Sequence, residues 1–229
     1  MNFLAHLWIA HVTRTSPAGA ILGDIAHGRL DTLDLPGTLA LGVRIHRHVD
    51  ATTDHHPLSR VWRTRFPPEL RRYAGITLDL LCDHVLASSW THYGTAPLAE
   101  FAARSATAVA AEGPTFSRFG SWRPDAARFA DLLCSYAEWR GFERALARTA
   151  TRLRNPQPLL ATAPAAAEVL GDVHAALPTL LQDLRSAALE LRDARGTGGP
   201  DPRVDTTRLA RPTEHARNLP RVAPPPGMP

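Results

Sequence analysis

The chain has 229 residues, of which 44% are hydrophobic, so it can form one ordinary domain with a sizeable buried core and a modest extension. This composition excludes a collagen-like, fibrous or wholly disordered protein. The 26 basic residues are all arginines, and with 22 acidic residues the formal net charge is only +4. We attribute the arginine bias to a GC-rich genome and not to nucleic-acid binding.

The cysteines and the N-terminal segment indicate the compartment. Cys82 and Cys134 lie in apolar stretches without the spacing of a disulfide framework or a zinc finger, which predicts buried free thiols. The N-terminal segment has no basic region, and His6 and His11 interrupt its apolar run, which argues against a signal peptide. No stretch approaches the roughly 18 apolar residues of a transmembrane helix. We therefore expect a cytoplasmic protein without a membrane segment.

Helical periodicity dominates the chain up to about residue 194, which predicts a nearly all-α fold. Ser16 and Pro17 form a typical helix start, Pro36 opens a second helix, and Thr77 is expected to cap a third. The predicted helical segments are 17 to about 28, 37 to about 56, 78–90, 98–111, 124–153 and 164–191.

The composition changes at Gly196. Residues 196–229 contain eight prolines together with glycine and arginine, and few aliphatic residues. Such a segment cannot bury enough apolar surface to offset the entropy of ordering. We therefore expect a single helical domain over residues 1–195 and a disordered tail over residues 196–229.

Histidines and aspartates are concentrated in the first third of the chain, where nine of the eleven histidines lie within 92 residues. They form four clusters on predicted helices: His6 with His11; Asp24 with His27; His46, His48, Asp50 and Asp54; and Asp79, Asp83 and His84. Imidazole and carboxylate donors without a thiolate suit Mn²⁺, Fe²⁺ or Zn²⁺. The clusters predict a metal site that assists the hydrolysis of a phosphate ester.

Spacing within two clusters supports this interpretation. His46, Asp50 and Asp54 recur at every fourth position and so share one helix face. Asp79 and Asp83 have the same relation, and Asp83 lies in an apolar run where an unpaired charge is costly. Because arginine matches phosphate oxygens with two hydrogen bonds, nearby arginines are expected to bind the phosphate. These are Arg29, Arg44 and Arg47.

Each of these patterns also has a structural alternative. Asp24 can simply lie near a helix end, and the other histidines can be surface, turn or hydrogen-bonded residues without a ligand role. The arginines within residues 140–154 are interpreted as solvated helix faces, and Arg71 and Arg72 can also belong to such a face.

Several motifs occur together in a distinctive order: residues 1–7 (MNFLAHL), 20–28 (AILGDIAHG), 42–50 (GVRIHRHVD), 53–57 (TDHHP) and 78–86 (LDLLCDHVL). Their order and spacing resemble the acyl carrier protein phosphodiesterase family, densely over residues 1–92 and thinly to about residue 190. No single motif is specific, but the combination is. Two departures are His27, where an aromatic or basic residue is usual, and His48, where arginine is usual.

The resemblance implies an all-α domain similar to HD-type phosphohydrolases, with a Mn²⁺-type site for which Fe²⁺, Mg²⁺ or Zn²⁺ are alternatives. The implied reaction is hydrolysis of the phosphodiester that joins 4′-phosphopantetheine to a serine of holo-acyl carrier protein. The implied metal ligands are His6, Asp24, His46, Asp50 and Asp83. The implied catalytic residues are Asp24, His46, Asp50, Asp54 and His84, of which His84 is expected to protonate the leaving serine.

The partner implied by the resemblance is an acidic carrier protein, which a basic surface would attract and orient. The expected docking surface is a basic run near the site: Arg60, Arg63, Arg65, Arg71 and Arg72. Two alternatives remain open. One is a related phosphohydrolase of a nucleotide or another small phosphoester, and the other is a catalytically silent helical module that binds a carrier protein. Nucleic-acid binding is disfavoured because the arginine-rich tail lacks interleaved aromatic residues.

Overall fold

The computed structural model describes residues 1–120 and 122–194. Within these ranges the chain forms eleven α-helices and no β-strand, which confirms the all-α prediction. The helices are α1 (Phe3–Val12), α2 (Pro17–Leu22), α3 (Gly37–His55), α4 (Pro57–Thr64), α5 (Arg71–Ser88), α6 (Leu98–Ala111), α7 (Gly113–Phe119), α8 (Ala126–Ser135), α9 (Trp139–Ala150), α10 (Gln157–Leu160) and α11 (Ala163–Asp193). Short 3₁₀ helices lie at Leu30–Thr32 and Trp90–His92.

The core surrounds α1, α3, α5 and α11. Helix α1 is apolar on nearly every face, and every residue from Leu4 to Ala10 is buried. It packs against α2 and α5, while the long helix α11 packs along both α3 and α5. Polar side chains on α1, α3 and α5 therefore lie inside the molecule.

Helices α2 and α3 approach each other closely because glycines face each other. A Cβ atom added to Gly42 would lie 2.7 Å from the Cα of Gly19, so no larger residue fits at this crossing. Ser16 caps α2 by accepting a hydrogen bond from the backbone N–H of Gly19. This crossing brings the turn after α2 next to the middle of α3.

Several helix boundaries differ from the predicted ones. Thr77 does not cap a helix, because α5 begins at Arg71 and the buried Thr77 hydroxyl instead lies 2.6 Å from that of Thr162. The predicted segment 124–153 is two helices, since the chain turns between Ser135 and Trp139. Segments 98–111 and 164–191 are confirmed as helical, and the expected tail lies outside the described residues.

Candidate metal centre

A cluster of two histidines and one aspartate lies where α1 crosses α3. Helix α1 contributes His6, and α3 contributes His46 and Asp50, which are one helical turn apart. The Nε2 atom of His6 lies 3.0 Å from Oδ1 of Asp50, and Nε2 of His46 lies 3.1 Å from Oδ2. The two imidazole rings stack with their centroids 3.9 Å apart. Each residue offers a ligand atom within 4.8 Å of the other two.

The burial of this triad fits a bound cation. His6 and His46 are 1% and 2% exposed, whereas the side chain of Asp50 is 40% exposed and opens the cluster to solvent. Among the described residues, Nε2 of His6 and Nδ1 of His46 have no well-aligned hydrogen-bond partner. Buried polar atoms are normally satisfied, so the unpartnered Nε2 atom of His6 beside the Asp50 carboxylate suits a divalent ion.

The electrostatics of the two imidazoles differ. Burial lowers the pKa of His46, but the carboxylates of Asp50 and Asp24 outweigh it and raise the value to about 10. Burial and the neighbouring His46 lower the pKa of His6. Although burial alone would raise the pKa of Asp50, the two histidines hold it well below the usual range. Without a metal ion the triad therefore holds one proton, on His46, because two stacked imidazoles cannot both be charged.

Asp24 borders the triad from the turn after α2. Its Oδ1 atom lies 3.4 Å from Nε2 of His46, and its side chain is 43% exposed. Gly23 makes this approach possible, because a Cβ atom at that position would lie 2.2 Å from Cγ of the His46 ring. Burial raises the pKa of Asp24, but the interactions with His46 outweigh burial, so the net pKa is below the usual value. The carboxyl is therefore ionised at neutral pH.

The α-amino group of Met1 also lies in this region and was not predicted from the sequence. It is 2.9 Å from Oδ1 of Asp79 and 3.5 Å from Oδ1 of Asp50. Burial lowers its pKa, but the two carboxylates raise it to about 12. A backbone amine has no signature in a residue pattern, so only the fold reveals this contact.

Asp83 and His84 are not members of the triad, and each has a backbone partner. The carboxylate of Asp83 accepts hydrogen bonds from the backbone N–H groups of Leu4 (2.7 Å) and Ala5 (3.0 Å), and so caps α1. The Nδ1 atom of His84 is 2.8 Å from the carbonyl oxygen of Tyr136. Their expected roles as ligand and proton donor stay predictions.

Other expected catalytic and phosphate-binding residues already have partners. Asp54 on α3 pairs with Arg63, while Arg29 pairs with Asp31 at the surface. Arg47 donates hydrogen bonds to the carbonyl oxygens of Ala26 and Gly28, and so holds the turn that carries Asp24. Arg44 is half-buried on α3. The phosphate-binding roles of Arg29, Arg44 and Arg47 stay predictions.

The expected docking arginines lie on α4, at the start of α5 and in the connection between them. Arg60 is exposed, while Arg65 pairs with Asp172, Arg71 donates to the carbonyl oxygens of Phe66 and Thr64, and Arg72 lies over the Tyr73 ring. Several of these cations are therefore engaged within the chain, and their docking role stays a prediction.

A separate open groove of about 1050 Å³ is lined by residues of α1, α6 and α11. Its lining includes His11, whose ring contacts Phe101, but no member of the triad. Cavity size therefore does not indicate the position of the metal centre.

The fold and the triad define an all-α protein with a candidate site for a divalent metal ion. The acyl carrier protein phosphodiesterase family matches residues 1–184, so the chain belongs to this family. Within the described residues, no helix is both long and apolar enough to cross a membrane.

Similar curated proteins carry the name acyl carrier protein phosphodiesterase. Those from Escherichia coli O139:H28 (strain E24377A), O9:H4 (strain HS) and strain K12 / DH10B are each 40% identical to this chain over 102 residues. The match covers 44% of this chain and 52% of each relative, so the chain spans about half the length of these relatives. No solved structure matches, and the likeness to HD-type phosphohydrolases stays a prediction.

Proposed function

We propose that this protein is a metal-dependent phosphodiesterase that hydrolyses holo-acyl carrier protein and releases 4′-phosphopantetheine and the apo carrier. Membership of the family and the name of the E. coli relatives support the reaction. The observation that carries the proposal is the convergence of His6, His46 and Asp50, in which Nε2 of His6 has no hydrogen-bond partner. Such a donor set is costly to bury unless it binds a cation.

The proposed ligands are His6, His46 and Asp50, with Asp24 at the open edge of the site. Imidazole and carboxylate donors suit Mn²⁺, and Fe²⁺, Mg²⁺ or Zn²⁺ are the alternatives. When bound, such an ion polarises a phosphoryl oxygen and makes a nearby water more acidic.

The protonation states of His46, Asp50 and Asp24 determine how this site can bind a metal ion and activate water. His46 must give up its proton before its Nε2 atom can act as a ligand, and Asp50 is already ionised. Asp24 is ionised and partly exposed, so its carboxylate can orient a water and accept its proton during attack on phosphorus. The bond between phosphorus and the serine oxygen then breaks, and the serine oxygen takes up a proton.

The proposed partner is an acidic carrier protein in the cytoplasm. The formal net charge of +4 favours its approach, and the arginines of α4 and the start of α5 offer a surface that would orient it. No docking on nucleic acid or on a membrane is part of this proposal.

Intact-protein mass spectrometry of a purified holo-acyl carrier protein tests the reaction. With this protein and Mn²⁺, the carrier is expected to lose about 340 Da, the mass of the phosphopantetheine arm, and a chelator is expected to prevent this loss. Asp50→Asn is expected to abolish both metal binding and the mass change. Asp131→Asn, on an exposed position of α8, serves as the matched control and retains both.

The other outcomes separate the alternatives. An unchanged carrier mass with stoichiometric bound metal would overturn the carrier-protein substrate in favour of a small phosphoester. An unchanged mass without bound metal would overturn the enzyme in favour of a silent binding module.

A further inference from the structure

The groove lined by α1, α6 and α11 is separate from the metal centre and has the size of a ligand pocket. Its volume is about 1050 Å³, at the top of the range of roughly 300–1,000 Å³ that is usual for small-molecule sites. Among the described residues that line it, none belongs to the triad. Leu7 and Ala10 of α1, Phe101 of α6 and Leu181 of α11 line it and are buried. The groove can therefore remove an apolar group from water.

Hydrogen bonds fix the walls of the groove against one another. The indole N–H of Trp8 donates to the carbonyl oxygen of Tyr93 at 3.1 Å, which joins α1 to the segment before α6. The guanidinium group of Arg192 donates to the carbonyl oxygen of Thr13 at 2.8 Å, which joins the end of α11 to the end of α1. The groove is therefore formed without a ligand, as is usual for binding sites of this size.

The charged residues that line the groove are arginines from three separate segments. Arg14 follows α1, Arg104 lies on α6 and Arg185 lies on α11, and all three are exposed. No aspartate or glutamate is found in the part of the lining that the structure describes. Arg104 pairs with Glu100 on its own helix, whereas Arg14 and Arg185 form no hydrogen bond or ion pair within the described residues. Such a concave basic surface attracts anions.

A buried hydroxyl also lines the groove without a partner. Ser105, one helical turn after Phe101 on α6, is 7% exposed. A hydroxyl inside a helix can bond to the carbonyl oxygen four residues earlier, as Thr107 does to Ala103 at 2.9 Å. The Ser105 hydroxyl makes no such bond and has no other partner in residues 1–120 and 122–194. Because buried polar groups are normally hydrogen-bonded, this hydroxyl suits a ligand atom in the groove.

We propose that this groove binds a small amphipathic anion, in which a carboxylate or phosphate group is joined to an apolar body. The buried apolar residues hold the body, the guanidinium groups of Arg14 and Arg185 bind the charged group, and Ser105 offers a further donor. A small molecule fits a cavity of this volume, whereas a docked protein covers about 800 Å² on each partner. The site is distinct from the metal centre and does not depend on the proposed function.

Calorimetric titration of the full chain with decanoate and with decyl phosphate tests the site. Binding of one molecule per chain is expected, and the tighter of the two probes identifies the charged group as a carboxylate or a phosphate. Decanol has the same body without the charge and is expected to bind at least about 10-fold more weakly, as for the loss of a charge-assisted hydrogen bond. A chelator is expected to leave the affinity unchanged, since the triad does not line the groove.

Two variants each remove one charge from the groove. Arg14→Asn is chosen because Arg14 has a left-handed backbone with a φ angle of 54°, which asparagine tolerates. Arg14→Asn and Arg185→Ala are each expected to weaken binding of the anion about fivefold, and the double variant by more, while decanol binding stays unchanged. Arg154→Ala removes an exposed arginine outside the groove and is the matched control. Circular dichroism shows that each variant keeps its helix content.

The contrary outcomes are distinct. Unchanged anion affinity in the folded double variant would overturn the assignment, and so would decanol that binds as tightly as the anions. Loss of anion binding on chelation would overturn it as well, because the metal centre would then be the site. If the wild type binds neither anion while Arg185→Ala raises KM for holo-acyl carrier protein, the groove docks a protein and the small-molecule site is wrong.

Discussion

Two groups of largely buried polar residues lie on either side of α1, and they differ in how their charges are satisfied. At the crossing with α3, His6, His46 and Asp50 face one another and leave imidazole nitrogens without partners. At the crossing with α5, both oxygens of Asp83 accept backbone N–H groups, and His84 bonds to a backbone carbonyl oxygen. The first group can therefore bind a ligand, whereas the polar atoms of the second group already bond to the backbone.

The difference shows that burial alone does not identify a functional carboxylate. Asp83 is fully buried and Asp50 is 40% exposed, yet Asp50 is the one whose neighbours are two imidazoles. A carboxylate that caps a helix is satisfied by donors that every chain possesses. A carboxylate that faces histidines points to an ion, because those groups otherwise compete for protons.

The largest expected effect comes from Gly23→Ala, which breaks the α3 group alone. Gly23 has helical backbone angles that alanine tolerates, but its Cβ atom would overlap the His46 ring. Displacement of this ring is expected to weaken Mn²⁺ binding by about 100-fold, at the upper end of the range seen when the groups that orient a ligand are lost. Equilibrium dialysis with Mn²⁺ measures this change.

Gly171→Ala is the matched control for Gly23→Ala. It lies in α11, where an added Cβ has no atom within 4 Å, and it is expected to keep metal affinity and gain about 0.5–1 kcal/mol of stability. Wild-type metal affinity in Gly23→Ala would show that His46 is not a ligand.

Asp83→Asn tests the α5 group and is expected to affect folding more than metal binding. The amide can accept only through one atom, so one N–H group at the start of α1 would lose its acceptor. The free energy of unfolding is expected to fall by about 2 kcal/mol, as for the loss of a good helix cap. Urea unfolding measures the loss, and Asp131→Asn, an exposed change of the same kind, is expected to stay within about 0.5 kcal/mol.

The Mn²⁺ affinities of Asp83→Asn and Gly23→Ala together show whether the two groups have separate roles. If the metal-loaded Asp83→Asn protein binds Mn²⁺ as tightly as the wild type, the two groups have separate roles. A loss of Mn²⁺ affinity as large as that of Gly23→Ala would instead make Asp83 part of the metal centre.

Local spacing predicted those parts of the molecule that depend on one helix. His46 and Asp50 share a face because α3 forms where Pro36 and the turn before Pro57 place it. The helix over residues 98–111 was predicted with its observed bounds for the same reason. Patterns within one element need only helical geometry, which the sequence encodes directly.

Contacts between distant segments could not be derived from spacing. The apolar run around Asp83 predicted that its charge needs a partner, but the backbone N–H groups of Leu4 and Ala5 have no residue type that marks them. The break between α8 and α9 was missed because the residues between these helices have ordinary helix propensity. Tertiary packing, and not local sequence, makes the chain turn there.

The last effect is small per pH unit and separates the two groups by their protons. In the metal-free protein, the pKa of His46 is about 10, compared with about 6.5 for an unfolded histidine, so its proton stabilises the fold fully below pH 6.5. This stabilisation is lost as the pH rises through 10, by up to about 1.4 kcal/mol per pH unit. Metal binding must displace the same proton, so Mn²⁺ affinity is expected to rise about tenfold per pH unit between pH 7 and 9.

Calorimetry in buffers of different ionisation enthalpy measures the protons released when Mn²⁺ binds. His6 is neutral and Asp50 ionised in this range, since the pKa of each is lowered, so about one proton per ion is expected, from His46. Asp83→Asn should release the same number, because its carboxylate bonds to backbone N–H groups and not to an imidazole. An affinity that does not change between pH 7 and 9 would mean that His46 binds no metal, and the distinction between the two groups would then rest on burial alone.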